Sequence, residues 1–255
     1  MKPRKVSPGV WTVLVLAVLV LLWEGAAAGG HINPFYFSRP TAIWQSFRDL
    51  TAAGTLQKHF LVTVKEAALG LLFGSVLGTL AGLGLGVHPK VSAALMPLMT
   101  GLNEVPKLAL GPLFIIWLGL GLKSKVLIAG LMVFFVFAFN LYAGVRSVDR
   151  SLTLSVELLG GTKGQVLRKV LLPASLPWLM ASLRTGLGLS LSGAVVGEYL
   201  GASKGMGWAI SAAGERYDTA QVLCYVLVIV VLVILLDAVV RLLERRLLRW
   251  QSPAP

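Results

Sequence analysis

The chain has 255 residues, of which 56% are hydrophobic and only 13% charged, with a mean hydropathy of +0.80. Soluble domains carry about 45–50% apolar and about 25% charged residues, so a soluble fold of this length could not hide its apolar surface. A formal net charge of +12 would suggest nucleic acid in a soluble protein; with this hydropathy, and no basic run interleaved with aromatics, it points instead to basic loops beside anionic lipid.

A crossing needs about 20 apolar residues, and the chain supplies six candidate spans. The first, 10–30, follows Lys2, Arg4 and Lys5. A basic start and the run Ala26-Ala27-Ala28 also describe a secretory signal peptide, but a run of nearly full spanning length is expected to be retained. A polar, proline-punctuated stretch from His31 to His59 follows, with a short interfacial helix predicted around Thr41 to Thr51. The second span is predicted at 60–87, closed by His88-Pro89-Lys90, the third at 91–122 and the fourth at 126–145. Residues 146–173 are too polar for lipid. The fifth span is expected at 176–200 and the sixth at 219–240. Together they make one transmembrane domain, an all-α membrane protein of six helices. The lone Cys224 excludes an internal disulfide framework.

Orientation follows from the basic residues. With both termini in the cytoplasm, Lys2, Arg4, Lys5, Lys90, Arg146, Arg150, Lys163, Arg168, Lys169, Arg241, Arg245, Arg246 and Arg249 lie inside. They outnumber the outer set, Arg39, Arg48, Lys58, Lys123, Lys125, Lys204 and Arg216. Residues 146–173 are then cytoplasmic.

Within the second span Gly70, Gly74, Gly78, Gly82 and Gly86 recur every fourth residue. That places a ridge without side chains on one helix face, where another backbone can approach closely. Gly186, Ser190, Gly193 and Gly197 repeat the theme in the fifth span.

Ionisable residues inside spans are functional candidates because burying them is costly. Lys65, Lys107 and Arg184 qualify, and Glu104 is the one carboxylate expected at mid-span. Lys107 lies between Pro106 and Pro112, prolines that free backbone carbonyls and favour a broken helix beside a cavity. Two roles stay open for it. With Asn103 and Glu104 it lines a pathway and attracts an anion, or it pairs with Glu104 three residues away. Arg184, about two turns into the fifth span, either faces the same cavity or snorkels to the surface.

The polar segment reads RSVDRSLTLSVELLGGTKGQVLRKVLLP. Asp149 can cap a short helix over Arg150 to Leu159, and Gly160-Gly161 stops it. Thr162 and Gln165 fit a capping box that opens a second helix, expected to end at Pro173.

Several chemistries find no support. Gly119 to Lys125 and Gly160 to Gln165 both fail the spacing of a phosphate-cradling P-loop. There is no HExxH pair and no Cys/His cluster with ligand spacing. A serine hydrolase is unsupported, because His31, His59 and His88 all fall in or beside predicted loops. The chain is not expected to be an enzyme, nor to hold a metal or cofactor.

Gly160, followed thirteen residues later by the proline of Leu172-Pro173, resembles the second half of the cytoplasmic loop of bacterial ABC importer permeases. VPKLALGPLFIIWLGLGLKSKV (Val105 to Val126), NLYAGVRSVD (Asn140 to Asp149), GEYLGASKGMGW (Gly197 to Trp208) and RLLERRLLRW (Arg241 to Trp250) are similar to the nitrate/sulfonate/taurine-type members. The resemblance implies a type I importer permease fold whose two short coupling helices dock on a cytoplasmic ATPase through Glu157, Gly160, Gly161, Thr162, Gln165, Leu172 and Pro173. In one respect the loop departs from the family: its conserved Glu-Ala-Ala would fall on Leu154-Ser155-Val156, and Glu157 stands three residues later, reaching the partner from a nearby helix face.

The same resemblance implies a homodimer in the bacterial inner membrane that carries a small anion such as a sulfonate, taurine or nitrate. A partner ATPase dimer binds ATP and Mg and drives alternating access, while a periplasmic or lipid-anchored solute-binding protein delivers the substrate. Asn103, Glu104, Pro106, Lys107 and Arg184 are the pathway candidates. Glu198, Lys204 and Arg216 are candidates to meet the binding protein, with a solvated loop as the plain alternative. A secondary, ion-coupled transporter of a small anion is the competing function; it would show inverted repeats and acid relays, which the sequence does not display.

Overall fold

A computed structural model describes residues 8–248. Lys2, Arg4, Lys5 and Arg249, assigned above to the inner side, lie outside the described residues. Within them the chain is all-helical: α1 (Pro8–Ala28), α2 (Pro34–Phe37), α3 (Pro40–Ala52), α4 (Thr55–Val87), α5 (Pro89–Glu104), α6 (Gly111–Leu118), α7 (Leu122–Arg146), α8 (Arg150–Leu158), α9 (Lys163–Val166), α10 (Leu172–Gly201), α11 (Met206–Glu215) and α12 (Thr219–Leu247). A 3₁₀ turn, Lys107–Leu110, precedes α6, and a π turn, Leu167–Leu171, precedes α10. The short helix expected near Thr41 to Thr51 is present as α3.

Five helical stretches are long and apolar enough to cross a membrane: Val10–Ala28, Thr55–Val87, Leu122–Arg146, Lys163–Gly201 and Thr219–Leu247. The third expected span, 91–122, is not one helix. Val105 and Pro106 leave the helical region, because proline disfavours helix in the residue before it and offers no N–H, and the segment divides into α5, the 3₁₀ turn and α6. The crossing survives as a broken one. Gly86 at the end of α4 packs on Val145 at the end of α7, whereas Lys125 at the start of α7 bonds the carbonyl of Gly201 at the far end of α10. The chain must therefore traverse the bundle between residues 87 and 122.

The glycine ridge packs α4 directly on α7. A Cβ on Gly74 would stand 2.4 Å from the Gly130 carbonyl oxygen, one on Gly78 2.5 Å from that of Phe134, and one on Gly82 2.4 Å from that of Ala138. The backbones of α4 and α7 thus touch directly, as small-residue packing between membrane helices requires. On the flank of this seam Val133, Phe137 and Leu141 bury against Leu71, Leu83, Leu179 and Leu183. A second apolar cluster joins Leu56, Ala67, Leu191, Met206, Ala209 and Tyr225 from α4, α10, α11 and α12.

Pro173 does not end the second helix of the polar segment. The chain runs from α9 through the π turn into α10, and the Leu172 N–H bonds the Leu167 carbonyl five residues back. This wider turn takes in a proline that has no N–H to donate. The result is one helical rod, Lys163–Gly201, of about 58 Å at 1.5 Å per residue.

Candidate functional site

Three groups of residues carry the functional candidates, and the first is the helix pair between α7 and α10. The Asp149 side chain accepts the Ser151 N–H at 2.8 Å and starts α8; its hydrogen bonds with Ser151 hold its carboxyl below the usual range. At the other end Gly160 takes φ +79, a left-handed value that costs glycine nothing. The Gly161 N–H reaches the Val156 carbonyl and the Gly160 N–H that of Glu157, the paired bonds of a Schellman stop. Thr162 then accepts the Gln165 N–H at 3.3 Å, and Gln165 Oε1 accepts the Thr162 N–H at 2.7 Å, the reciprocal capping box. Glu157, Gly160, Thr162, Gln165 and Leu172 are exposed, with Gly161 and Pro173 half-buried. Leu158 and Leu159 at the tip are 86% and 89% exposed. Two leucines thus stand in full view at a turn whose flanking helix ends are both capped.

The second group lies at the break between α5 and α6. Lys107 Nζ donates to the Asn103 carbonyl at 2.6 Å and to Asn103 Oδ1 at 3.0 Å, and sits 4.8 Å from the centre of the Phe135 ring on α7. Lysine at a helix C-terminus satisfies orphan carbonyls and opposes the negative end of the dipole. The structure thus unites Asn103, Pro106 and Lys107, while Glu104 is exposed and makes none of the ion pairs found among the described residues. Arg184 is elsewhere: its Nε is 3.1 Å from Asp237 and its Nη2 2.9 Å from Glu244, both on α12.

The third group gathers where α4, α7, α10 and α11 meet, and sequence reasoning missed most of it. Glu198, expected at an exposed outer loop, is 1% exposed. It accepts the Thr63 hydroxyl at 2.7 Å and the Gly207 N–H at 2.7 Å. Thr63 in turn accepts the Met206 N–H at 2.8 Å, and His59 Nδ1 accepts that of Gly205 at 3.1 Å. His59 is therefore not a loop residue but a buried one on α4. Glu66, one turn further along α4, is a second buried carboxylate beside Glu198, so Glu104 is not alone. Lys125, assigned above to an outer loop, is 1% exposed and donates to the carbonyls of Leu120 and Gly201. Of the three residues expected to meet a binding protein, Lys204 and Arg216 are exposed and Glu198 is not.

Comparison with known proteins matches this arrangement to transport components. Residues 74–249 match the family described as binding-protein-dependent transport system inner membrane component. The chain is 35% identical over 240 residues to SsuC of Bacillus subtilis, a permease named for aliphatic sulfonates, across 94% of this chain and 87% of that one. It is 34% identical to the taurine transport system permease TauC of Escherichia coli, across 93% and 88%. A chain of the MetNI methionine ABC transporter, solved in inward-facing conformations, superposes with a TM-score of 0.66 at 21% identity, over 73% of this chain and 93% of that one. The helical bundle with its exposed capped helix pair thus belongs to the binding-protein-dependent inner-membrane components, the multi-pass permease subunits of ABC importers.

Proposed function

We propose that this chain works as a homodimer on a cytoplasmic ATPase dimer, and that ATP and Mg bound on that partner drive alternating access through the membrane helices. The observation that carries the reading is the doubly capped helix pair α8–α9, which presents Leu158 and Leu159 to solvent at one end of the bundle. Glu157, Gly160, Gly161, Thr162 and Gln165 shape that surface. Leu172 and Pro173 join it to the rod that runs through α10, so movement of the pair is delivered to the core. In this reading the chain is the transmembrane subunit, and ATP hydrolysis belongs to the partner.

Charge supports placing this end in the cytoplasm. Arg146, Arg150, Lys163, Arg168, Lys169, Arg241, Arg245 and Arg246 all gather there, as the positive-inside bias expects. Both termini are then cytoplasmic. The opposite end, with exposed Lys204 and Arg216, faces the solute-binding protein. The exposed leucines of α5 and α6, among them Leu98, Leu102 and Leu113, offer an apolar face to the second copy and to lipid.

The substrate is a small sulfonate-like anion, on the strength of the two relatives named for sulfonates and taurine. Lys107 is the cation that meets it: it stands at the break of a membrane helix and is held by groups of one neighbouring residue.

Taurine uptake in cells that carry the chain tests the reading against an ion-coupled carrier. With ATP maintained and the proton and sodium gradients collapsed, uptake continues. Uptake that stops with the gradients while ATP persists would sink the importer reading.

A further inference from the structure

Every helix start leaves four backbone N–H groups without a partner in the helix, and at α11 three of them belong to Gly205, Met206 and Gly207. Capping is usually local, from the residue just before the first turn. Here that residue is Gly205, which has no side chain to offer. All three donors are met instead from other helices: Gly205 N–H by His59 and Met206 N–H by Thr63, both on α4, and Gly207 N–H by Glu198 on α10. Thr63 also donates to Glu198, closing a ring of bonds across α4, α10 and α11. The loop is built for this fit. A Cβ on Gly205 would fall 2.1 Å from the Glu198 carboxyl carbon, and one on Gly207 2.1 Å from the Val195 carbonyl oxygen.

We propose that Glu198, Thr63 and His59 are positioning residues that form a cross-helix cap on α11 and make α4, α10 and α11 one mechanical body at this end of the bundle. The inference deepens the importer reading and rests on it for the identity of the load. A binding protein seated near exposed Arg216 and Tyr217, at the end of α11, would press on a helix that cannot pivot freely. The cap passes that load into α10, which is continuous with α9 and the helix pair at the opposite end. Both carboxyl oxygens of Glu198 are used, one accepting from Thr63 and the other from Gly207. Lys125 ties the same end of α10 down by donating to the Gly201 carbonyl.

Hydrogen exchange followed by mass spectrometry on the purified full chain tests the cap without any partner. Glu198→Ala is expected to speed exchange of the Gly205, Met206 and Gly207 amides by about tenfold, since the acceptor of two buried hydrogen bonds is lost, with α7 unchanged. Glu198→Gln keeps an acceptor for Gly207 and an amide that can donate to Thr63, so exchange is expected to stay within about twofold of native. A merely space-filling Glu198 would not separate these two variants. Thr63→Val, which keeps shape and removes the hydroxyl, is expected to expose Met206 and decides the matter if Glu198→Ala does not fold.

Unchanged exchange at 205–207 in Glu198→Ala, or in Thr63→Val where Glu198→Ala does not fold, would overturn the cap, as would a Gln variant as fast as the Ala variant. A chain that shows the cap yet recruits no ATPase would overturn the importer reading alone.

Discussion

Arg184 on α10 and Asp237 on α12 meet at 3.1 Å, Nε to Oδ1, and the same guanidinium reaches Glu244 two turns further along α12 at 2.9 Å. Arg241 adds a bond to the second oxygen of Asp237 at 2.9 Å. The four side chains are partly exposed, so each pair contributes at most about 1 kcal/mol. The network fastens the last helix of the bundle to the rod. Arg184→Ala is expected to lower the melting temperature of the purified chain by a few degrees, about 1 kcal/mol, and high salt is expected to narrow the gap from wild type. An unchanged melting temperature with a raised KM for taurine would return Arg184 to the substrate pathway.

Lys107 tests the pathway itself. Lys107→Ala removes the cation and leaves the α5–α6 break, which depends on Val105 and Pro106. The KM for taurine uptake is expected to rise about tenfold, the order of one charged hydrogen bond, with the maximal rate largely kept. An unchanged KM would make Lys107 a helix cap and nothing more.

Along α4 the glycines are not equivalent. Gly82 faces the Ala138 carbonyl oxygen, whereas a Cβ on Gly84 would meet nothing within 4 Å. Gly82→Ala is expected to push α4 and α7 apart at a cost of about 1–3 kcal/mol, while Gly84→Ala is neutral or slightly stabilising. Melting of the two purified variants separates them; equal melting temperatures would contradict direct backbone packing.

Two substitutions probe how the exposed helix pair holds its shape. Gly160→Ala forces a side chain into the left-handed region at a cost of about 1–2 kcal/mol, although a Cβ there would meet no neighbour. Thr162→Ala removes the acceptor for Gln165 at a cost of about 1 kcal/mol. Both are expected to quicken amide exchange in 157–166 and leave α4 and α7 as they are. Equal exchange in wild type and both variants would show that the turn is not held by its caps.

The parts of this structure that local chemistry decides are legible in the sequence. The glycine stop at Gly160-Gly161, the caps at Asp149 and Thr162, and the four-residue glycine period are each set within one helix or one turn, and the structure shows them as read. The cluster around Glu198 was not legible in this way, because its members come from residues 59 to 207 and meet only after four helices pack. Lys125 stands in a run, KSK, that reads as a loop, yet it bonds two backbone carbonyls at a helix end. One signal was available. His59, Thr63, Glu66 and Ala67 continue the stripe of Gly70, Gly74, Gly78 and Gly82 backwards along α4, so polar residues on a packing ridge mark a buried network. Pro173 misled because a π turn, which has no simple sequence signal, lets a helix pass a proline.

The importer reading stands on the exposed helix pair α8–α9 docking a nucleotide-hydrolysing partner. Affinity purification of the tagged chain from its native membrane, with identification of what accompanies it, tests this most directly. Wild type is expected to bring a P-loop ATPase in a one-to-one ratio, and Leu158→Asp with Leu159→Asp to lose it while keeping the wild-type melting temperature, since both leucines are exposed. A pure homo-oligomer with no ATPase, or a variant that retains the ATPase in full, would contradict the claim.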